Sequence, residues 1–348
     1  MTSDQAQRIW VRVSFACLLV CGMLIGCRQQ EAINPQYGYH TINGYVMGTT
    51  WSVEYEGAID AQSRKELRKQ LNDRLAELEN QMSTWRADTE ISKFNANGST
   101  NWINVSPEVI EVVEEAQRVS RRTDGAFDIT AYRLIRLWGF AGGEPPDELP
   151  GEKTIASGLA ATGYTLLETR SEPPGLRKFV PGLQIDLSAL AKGYAVDELA
   201  KLMKDQACTN FLVEIGGELL GNGLREKGGP WRVGIEDPIV GESHIGDVVE
   251  LGSGAMASSG DYRNHIDIEG RLYAHIVDPR SGYPLLQRDI AVSVLAENCM
   301  AADAWATALT VIGRTNGIAF ANTNGLAVMF RYRERNRIAV VQSTHWPE

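Results

Sequence analysis

The chain has 348 residues, 43% of them hydrophobic and 22% charged; this excludes a disordered chain and supplies enough apolar surface for one or two well-packed domains. A formal net charge of −10 with a pI near 5.2 argues against a nucleic-acid partner, because no basic stripe is present to neutralise phosphates. Any anionic ligand must be held by a few local groups.

Arg8 and Arg12 precede an apolar run over residues 13–25, too short to span a bilayer comfortably and suited to a signal-peptide core. The run leads into Leu24-Ile25-Gly26-Cys27, which resembles a bacterial lipobox. Residues 1–27 are therefore expected to be a lipoprotein signal peptide, with Cys27 the lipidated first residue of the mature protein. Several acyl chains on one residue give the anchoring that a single chain does not. The expected location is the bacterial cell envelope, lipid-anchored to a membrane and facing the periplasm or exterior. Three of the five cysteines lie in this leader; Cys208 and Cys299 alone make no disulfide framework.

Residues 28–42 read as a tether and 43–348 as a single domain with interleaved lobes. Residues 45–55 alternate like two strand segments joined across Gly48, where Met47-Gly48-Thr49 either lets the backbone approach a ligand or forms a bulge. Leu67, Leu71, Leu75, Leu78 and Met82 mark an amphipathic helix over 62–82. Beyond it, Trp85 follows Ser83 and Thr84, where it either stacks on a planar ligand or joins the core. Ser106-Pro107-Glu108 opens a further helix that ends at Thr123-Asp124-Gly125. Asp128 either caps a short helical segment or meets a ligand. Residues 141–152 read as a surface loop, and a pair of strands is expected around 176–187.

Residues 186–197 form the central stretch. Residues 183–187 are expected to end a strand, and Ser188 to cap a helix whose apolar face carries Leu190, Ala191, Tyr194, Ala195, Leu199 and Met203. Its opening amides, together with Lys192, favour a phosphate or another anion; a capped core helix with a solvated lysine reads the same way. Residues 211–223 look like a strand broken by a double glycine, with Glu214 and Glu218 as either electrostatic walls or solvated edges. Residues 255–263 read as a ligand-facing loop of small polar residues ahead of a strand. His275 sits on a strand leading into a turn at Pro279, and beside a hydroxyl nucleophile it suits general-base work near neutral pH. In the alanine-rich helix that starts near Cys299, Asp303 and Thr307 share one face. They can take two oxygen positions on Mg2+ or bond to each other. Residues 325–341 supply closing strands.

Met47-Gly48-Thr49, Met82-Ser83-Thr84-Trp85, Gly125-Ala126-Phe127-Asp128, Asp186-Leu187-Ser188-Ala189-Leu190-Ala191-Lys192-Gly193-Tyr194, Glu214-Ile215-Gly216-Gly217-Glu218, Ser259-Gly260-Asp261-Tyr262-Arg263, His275-Ile276-Val277-Asp278-Pro279 and Asp303-Ala304-Trp305-Ala306-Thr307 follow one another along the chain. In this order they resemble the ApbE family, the FAD:protein FMN transferases, over residues 43–341. The resemblance implies an α+β fold with mixed or antiparallel sheets and packed helices, and no Rossmann unit. It implies FAD as substrate and a catalytic Mg2+ held by the Ala189 carbonyl, Asp303 and Thr307. FAD contacts carry over to Met47, to Trp85 with Arg86 and Ala87, to Asp128, to Lys192 and to the backbone near Val277. Trp85 stands where other members often have tyrosine.

The implied reaction is attack of a client threonine or serine hydroxyl on the FMN-side phosphorus of FAD, with AMP leaving, and His275 as base. Two other readings are an FAD pyrophosphatase that gives FMN and AMP, and a non-catalytic FAD-binding lipoprotein. Membrane anchoring makes subunits of membrane redox complexes the expected clients. One departure from the family pattern stands out. Residues 129–134 lack the glycine-proline usual before the Leu-Trp-Gly-Phe string, so that loop's shape does not carry over.

Overall fold

A computed structural model describes residues 36–347, apart from 240, 242, 243, 263 and 289. The leader with Cys27, most of the tether, and Arg263 of the 259–263 motif lie outside the described residues. β1 (Gln36–Val46) and β2 (Thr49–Ile59) form an antiparallel hairpin in which Val46 pairs with Thr49. Between them φ is 50° at Met47 and 76° at Gly48, the left-handed pair of a two-residue turn whose twist matches the strands. The expected strand segments are present, joined by a tight turn and not by a bulge. Trp51, Val53 and Tyr55 alternate inward on β2, and α1 (Ala61–Met82) lays Leu67, Leu71, Leu75, Leu78 and Met82 on the same core. Asp60 caps α1 by accepting the Ser63 amide at 2.7 Å.

α2 (Glu90–Ala96), β3 (Ile103–Asn104), α3 (Pro107–Arg122), α4 (Tyr132–Leu137) and α5 (Glu152–Leu159) follow. α3 begins at Pro107 as expected, without a side-chain cap from Ser106. β4 (Leu167–Ser171) and β5 (Pro174–Lys178) pair antiparallel and extend to β3, earlier in the chain than the pair expected around 176–187. Residues 183–187 are not a strand: only Gln184 bridges, to Ala131. The side chain of Asn95 takes a neighbouring strand's part there, accepting the Ile185 amide and donating to the Ile185 carbonyl, both at 2.8 Å.

α6 (Ala191–Asp205) starts three residues after Ser188, whose amide and hydroxyl both donate to the Asp186 carboxylate at 3.0 Å. Ser188 therefore closes a local turn and does not cap the helix. β6 (Phe211–Ile215) and β7 (Glu218–Asn222) form the hairpin across the double glycine. β8 (Trp231–Glu236), β9 (Ile245–Leu251), β10 (Gly254–Gly260), β11 (His265–Ile268), β12 (Arg271–Val277), β13 (Pro284–Leu286), β14 (Ile290–Ala296), α7 (Cys299–Ile312), α8 (Arg314–Asn324), β15 (Ala327–Glu334) and β16 (Arg337–Gln342) complete the chain.

The main sheet has eight strands in the order β1-β2-β6-β7-β10-β14-β15-β16, antiparallel at every pairing. Among the described residues no two named strands pair in parallel, so the fold is α+β and contains no Rossmann βαβ unit. α7 lies in the middle, packed on β10, β14 and α6. Its alanines at 302, 304, 306 and 308 are buried and allow that close packing. The same geometry corrects the reading of 255–263 as a loop: residues 254–260 are β10, a central strand. Its Ala255 and Ala257 are small because α7 lies over them.

Candidate active site

The site is assembled where α6 meets the first turn of α7. A β-carbon on Gly193 would stand 2.4 Å from the Cys299 carbonyl oxygen and 2.8 Å from the Met300 Cα, so only glycine admits this approach. One turn along α6, Asp197 accepts the amides of Cys299 at 2.7 Å and Met300 at 2.9 Å. These bonds satisfy the open end of α7, and burial still pushes the Asp197 carboxyl up to about 6. Cys299 is fully buried and free, as is the half-buried Cys208, so the two are unbridged.

The Gly193 amide donates to Asp303 Oδ2 at 3.2 Å. In a continuous helix that amide would return to the Ala189 carbonyl four residues earlier. The opening amides of α6 are thus not all turned toward an outside anion, as expected from the sequence; one of them serves Asp303. Lys192 Nζ lies 2.8 Å from Glu218 Oε1 and 3.8 Å from Asp303 Oδ2. Burial works against the ammonium, but the charges of Asp303 and Glu218 outweigh it and hold its pKa above the ordinary lysine value. Burial raises both carboxyls, and Lys192 opposes that shift in each. Glu218 Oε2 is buried without a hydrogen-bond partner among the described residues.

Lys192, Glu218 and Asp303 line one cavity of about 390 Å3. Asp128, Ala189, Lys192 and Val277 border it, as do His275, Asp303 and Thr307. Seven of the residues picked out in the sequence, drawn from four separate stretches, therefore share one wall-to-wall space. The Thr307 hydroxyl is 3.1 Å from the Ser259 hydroxyl, and among the described residues no hydrogen bond joins it to Asp303. His275 is half-buried, with Nδ1 3.3 Å from the Asn264 carbonyl and the Phe140 ring against it at 6.4 Å. Because a carbonyl only accepts, that contact places the proton on Nδ1 and leaves Nε2 with a lone pair. Burial lowers the His275 pKa below the ordinary 6.5, and the nearby Lys192 charge lowers it further.

Asp128 does not cap a helix: α4 begins after Ala131, which makes no side-chain cap. Its Oδ1 accepts the Thr130 amide and hydroxyl, at 2.8 and 2.7 Å, and its Oδ2 accepts the Tyr164 amide at 2.7 Å. The carboxylate thus shapes the cavity wall by tying two loops together. Met47, Trp85, Arg86 and Ala87 are not among the residues that border the cavity. Trp85 is 74% exposed, which rules out the core role, and Arg86 is ion-paired with Asp88 at 2.7 Å.

Sequence reasoning did not single out Glu218, Ser259, Asn264 or Asp197 as site residues. Each acts through a partner 11 to 103 positions away, and the signals present were Glu218 as the second acid flanking Gly216-Gly217 and Ser259 within the 255–263 stretch. Among the described residues no three His, Cys, Asp or Glu side chains cluster as a metal site. The donors here are a carboxylate, a hydroxyl and a backbone carbonyl turned away from its helical amide. They are hard oxygens, few in number, and they suit Mg2+, which keeps water and phosphate as its other ligands.

Fold and cavity together define an α+β protein whose cavity brings together an ammonium, hard-oxygen donors and an imidazole. The chain belongs to the ApbE family, which it matches over residues 47–330. It is 38% identical over 322 residues to the FAD:protein FMN transferase of Vibrio cholerae serotype O1, covering 92% of this chain and 93% of that one. To the FAD:protein FMN transferase of Escherichia coli K12 it is 33% identical over 323 residues, 92% of each chain. The solved flavin transferase ApbE from Vibrio cholerae superposes with a TM-score of 0.80 at 36% identity, covering 89% of this chain and 99% of that one. The apo form of the Pseudomonas stutzeri flavinyl transferase ApbE gives 0.80 at 34% identity, with 89% and 96% covered.

Proposed function

We propose that the protein transfers FMN from FAD to a threonine or serine hydroxyl of a client protein and releases AMP. The observation that supports this most directly is the convergence of Lys192, Asp303, Thr307 and His275 on one cavity. Asp303, Thr307 and the Ala189 carbonyl would hold Mg2+, which neutralises charge on the pyrophosphate and on the leaving AMP.

Lys192 faces the pyrophosphate as a fixed positive charge. His275 Nε2 takes the proton from the client hydroxyl as its oxygen bonds to the FMN-side phosphorus and the P–O bond to AMP breaks. Asn264 keeps the imidazole in the tautomer that can do so. Trp85, on the exposed surface, covers the flavin ring outside the polar cavity, with Met47, Arg86 and Ala87 beside it. Cys27 carries the lipid that holds the enzyme to a membrane, facing the periplasm or exterior, where subunits of membrane redox complexes are the clients.

The test combines the domain after Cys27 with FAD, Mg2+ and a candidate client, followed by mass spectrometry of the client. A covalent FMN increment is expected. Free FMN and AMP without client labelling would identify a pyrophosphatase instead, and no turnover would identify a flavin binder.

A further inference from the structure

Among the described residues Lys192 is ion-paired with two carboxylates and sits closer to one of them. Its Nζ is 2.8 Å from Glu218 and 3.8 Å from Asp303, a close ion pair against a looser one. All three groups lie in a space where charges are weakly screened. Glu218 is 3% exposed and starts β7, a central strand fixed on both sides by β6 and β10. Its place is therefore set by the sheet. Asp303 stands on α7, with Oδ2 already taking the Gly193 amide at 3.2 Å.

We infer that Glu218 is a positioning residue whose charge draws the Lys192 ammonium off Asp303 and so keeps that carboxylate open to a divalent cation. The inference rests on the cation-dependent flavin reading above. Without the Glu218 charge, Asp303 is the carboxylate left beside the ammonium among the described residues. Lys192 then closes the 3.8 Å gap, and a cation must displace a tightened salt bridge in order to bind. The Glu218 Oε1 acceptor is retained in glutamine, so Glu218→Gln removes the charge while keeping shape and hydrogen bond.

Two measurements test this without requiring transfer. In a crystal structure of metal-free Glu218→Gln, the Lys192 Nζ to Asp303 distance is expected to shorten to direct contact; an unchanged distance overturns the inference. FAD binding, followed by flavin fluorescence against MgCl2, is expected to need about tenfold more Mg2+ in Glu218→Gln. Glu218→Asp, which restores the charge, should recover much of that loss. On a Lys192→Met background the same change should no longer move the Mg2+ requirement, and if it still does, Glu218 does not act through the lysine. Should the wild type bind no FAD at any Mg2+ concentration, the flavin reading fails; the crystallographic distance still decides the role of Glu218.

Discussion

Gly193 and Cys299 touch backbone to backbone. A β-carbon on Gly193 would lie 2.4 Å from the Cys299 carbonyl oxygen, and this contact is what brings Lys192 and the 186–190 turn alongside Asp303. Gly193→Ala must push α6 off α7 and so disturb the amide bond to Asp303. Overpacking of this kind costs about 1–3 kcal/mol. Denaturant unfolding should show that loss, and FAD affinity should fall with it. An alanine variant of wild-type stability and affinity would mean that the two helices can separate freely.

His275→Gln should still bind FAD while flavinylation slows by about 10²–10⁴-fold, the usual loss of a general base. The pH profile gives an independent check. Burial holds the His275 pKa below 6.5, so the neutral form that accepts a proton persists as the pH falls through that value. Transfer should therefore decline only on the acid side of 6.5, and this limb should be missing from the glutamine variant.

Thr307→Val removes the hydroxyl from the cavity but keeps the branched shape on α7, whereas Thr307→Ser keeps the hydroxyl. The half-saturating Mg2+ concentration should rise at least about tenfold in the valine variant and much less in the serine variant. Equal Mg2+ requirements for the two would remove Thr307 from the cation's ligands.

Trp85 is 74% exposed, so Trp85→Ala should change folding stability by less than about 0.5 kcal/mol. If the ring covers the flavin, FAD affinity should nevertheless weaken by about 0.5–1.5 kcal/mol, with Trp85→Tyr close to wild type. Flavin fluorescence titration separates these outcomes.

Lys178 is fully buried, its ammonium donating to the carbonyls of Phe94 and Leu183 at 2.9 Å each. Burial lowers its pKa from 10.5 to about 8. Between these values the unfolded chain binds the proton and the folded chain releases it, so stability rises with pH across the window and is lost as the pH falls through about 8. The difference between 10.5 and about 8 corresponds to roughly 3 kcal/mol. Guanidinium midpoints on either side of the window should show that slope in the wild type and not in Lys178→Met.

Much of the fold was legible because it is periodic. The leucines of α1 and the alternation through Trp51, Val53 and Tyr55 commit each segment to one buried face whatever surrounds it. The site residues were legible as ordered motifs, and seven of them do share the cavity. The sequence also settled that few charges would serve any anion, because the chain is acidic on balance, with a formal net charge of −10.

Tertiary structure decided what depends on partners distant in the chain. Residues 183–187 have strand-like composition, yet the side chain of Asn95 takes their backbone bonds. The small residues of 255–260 read as a loop because nothing local shows that α7 lies over them. Asp128 looked like a cap until Tyr164, distant in the chain, supplied its third donor. Glu218 and Glu214 flank the same double glycine, but only Glu218 meets Lys192. A carboxylate's role follows from the charge that faces it, and that charge is placed by folding.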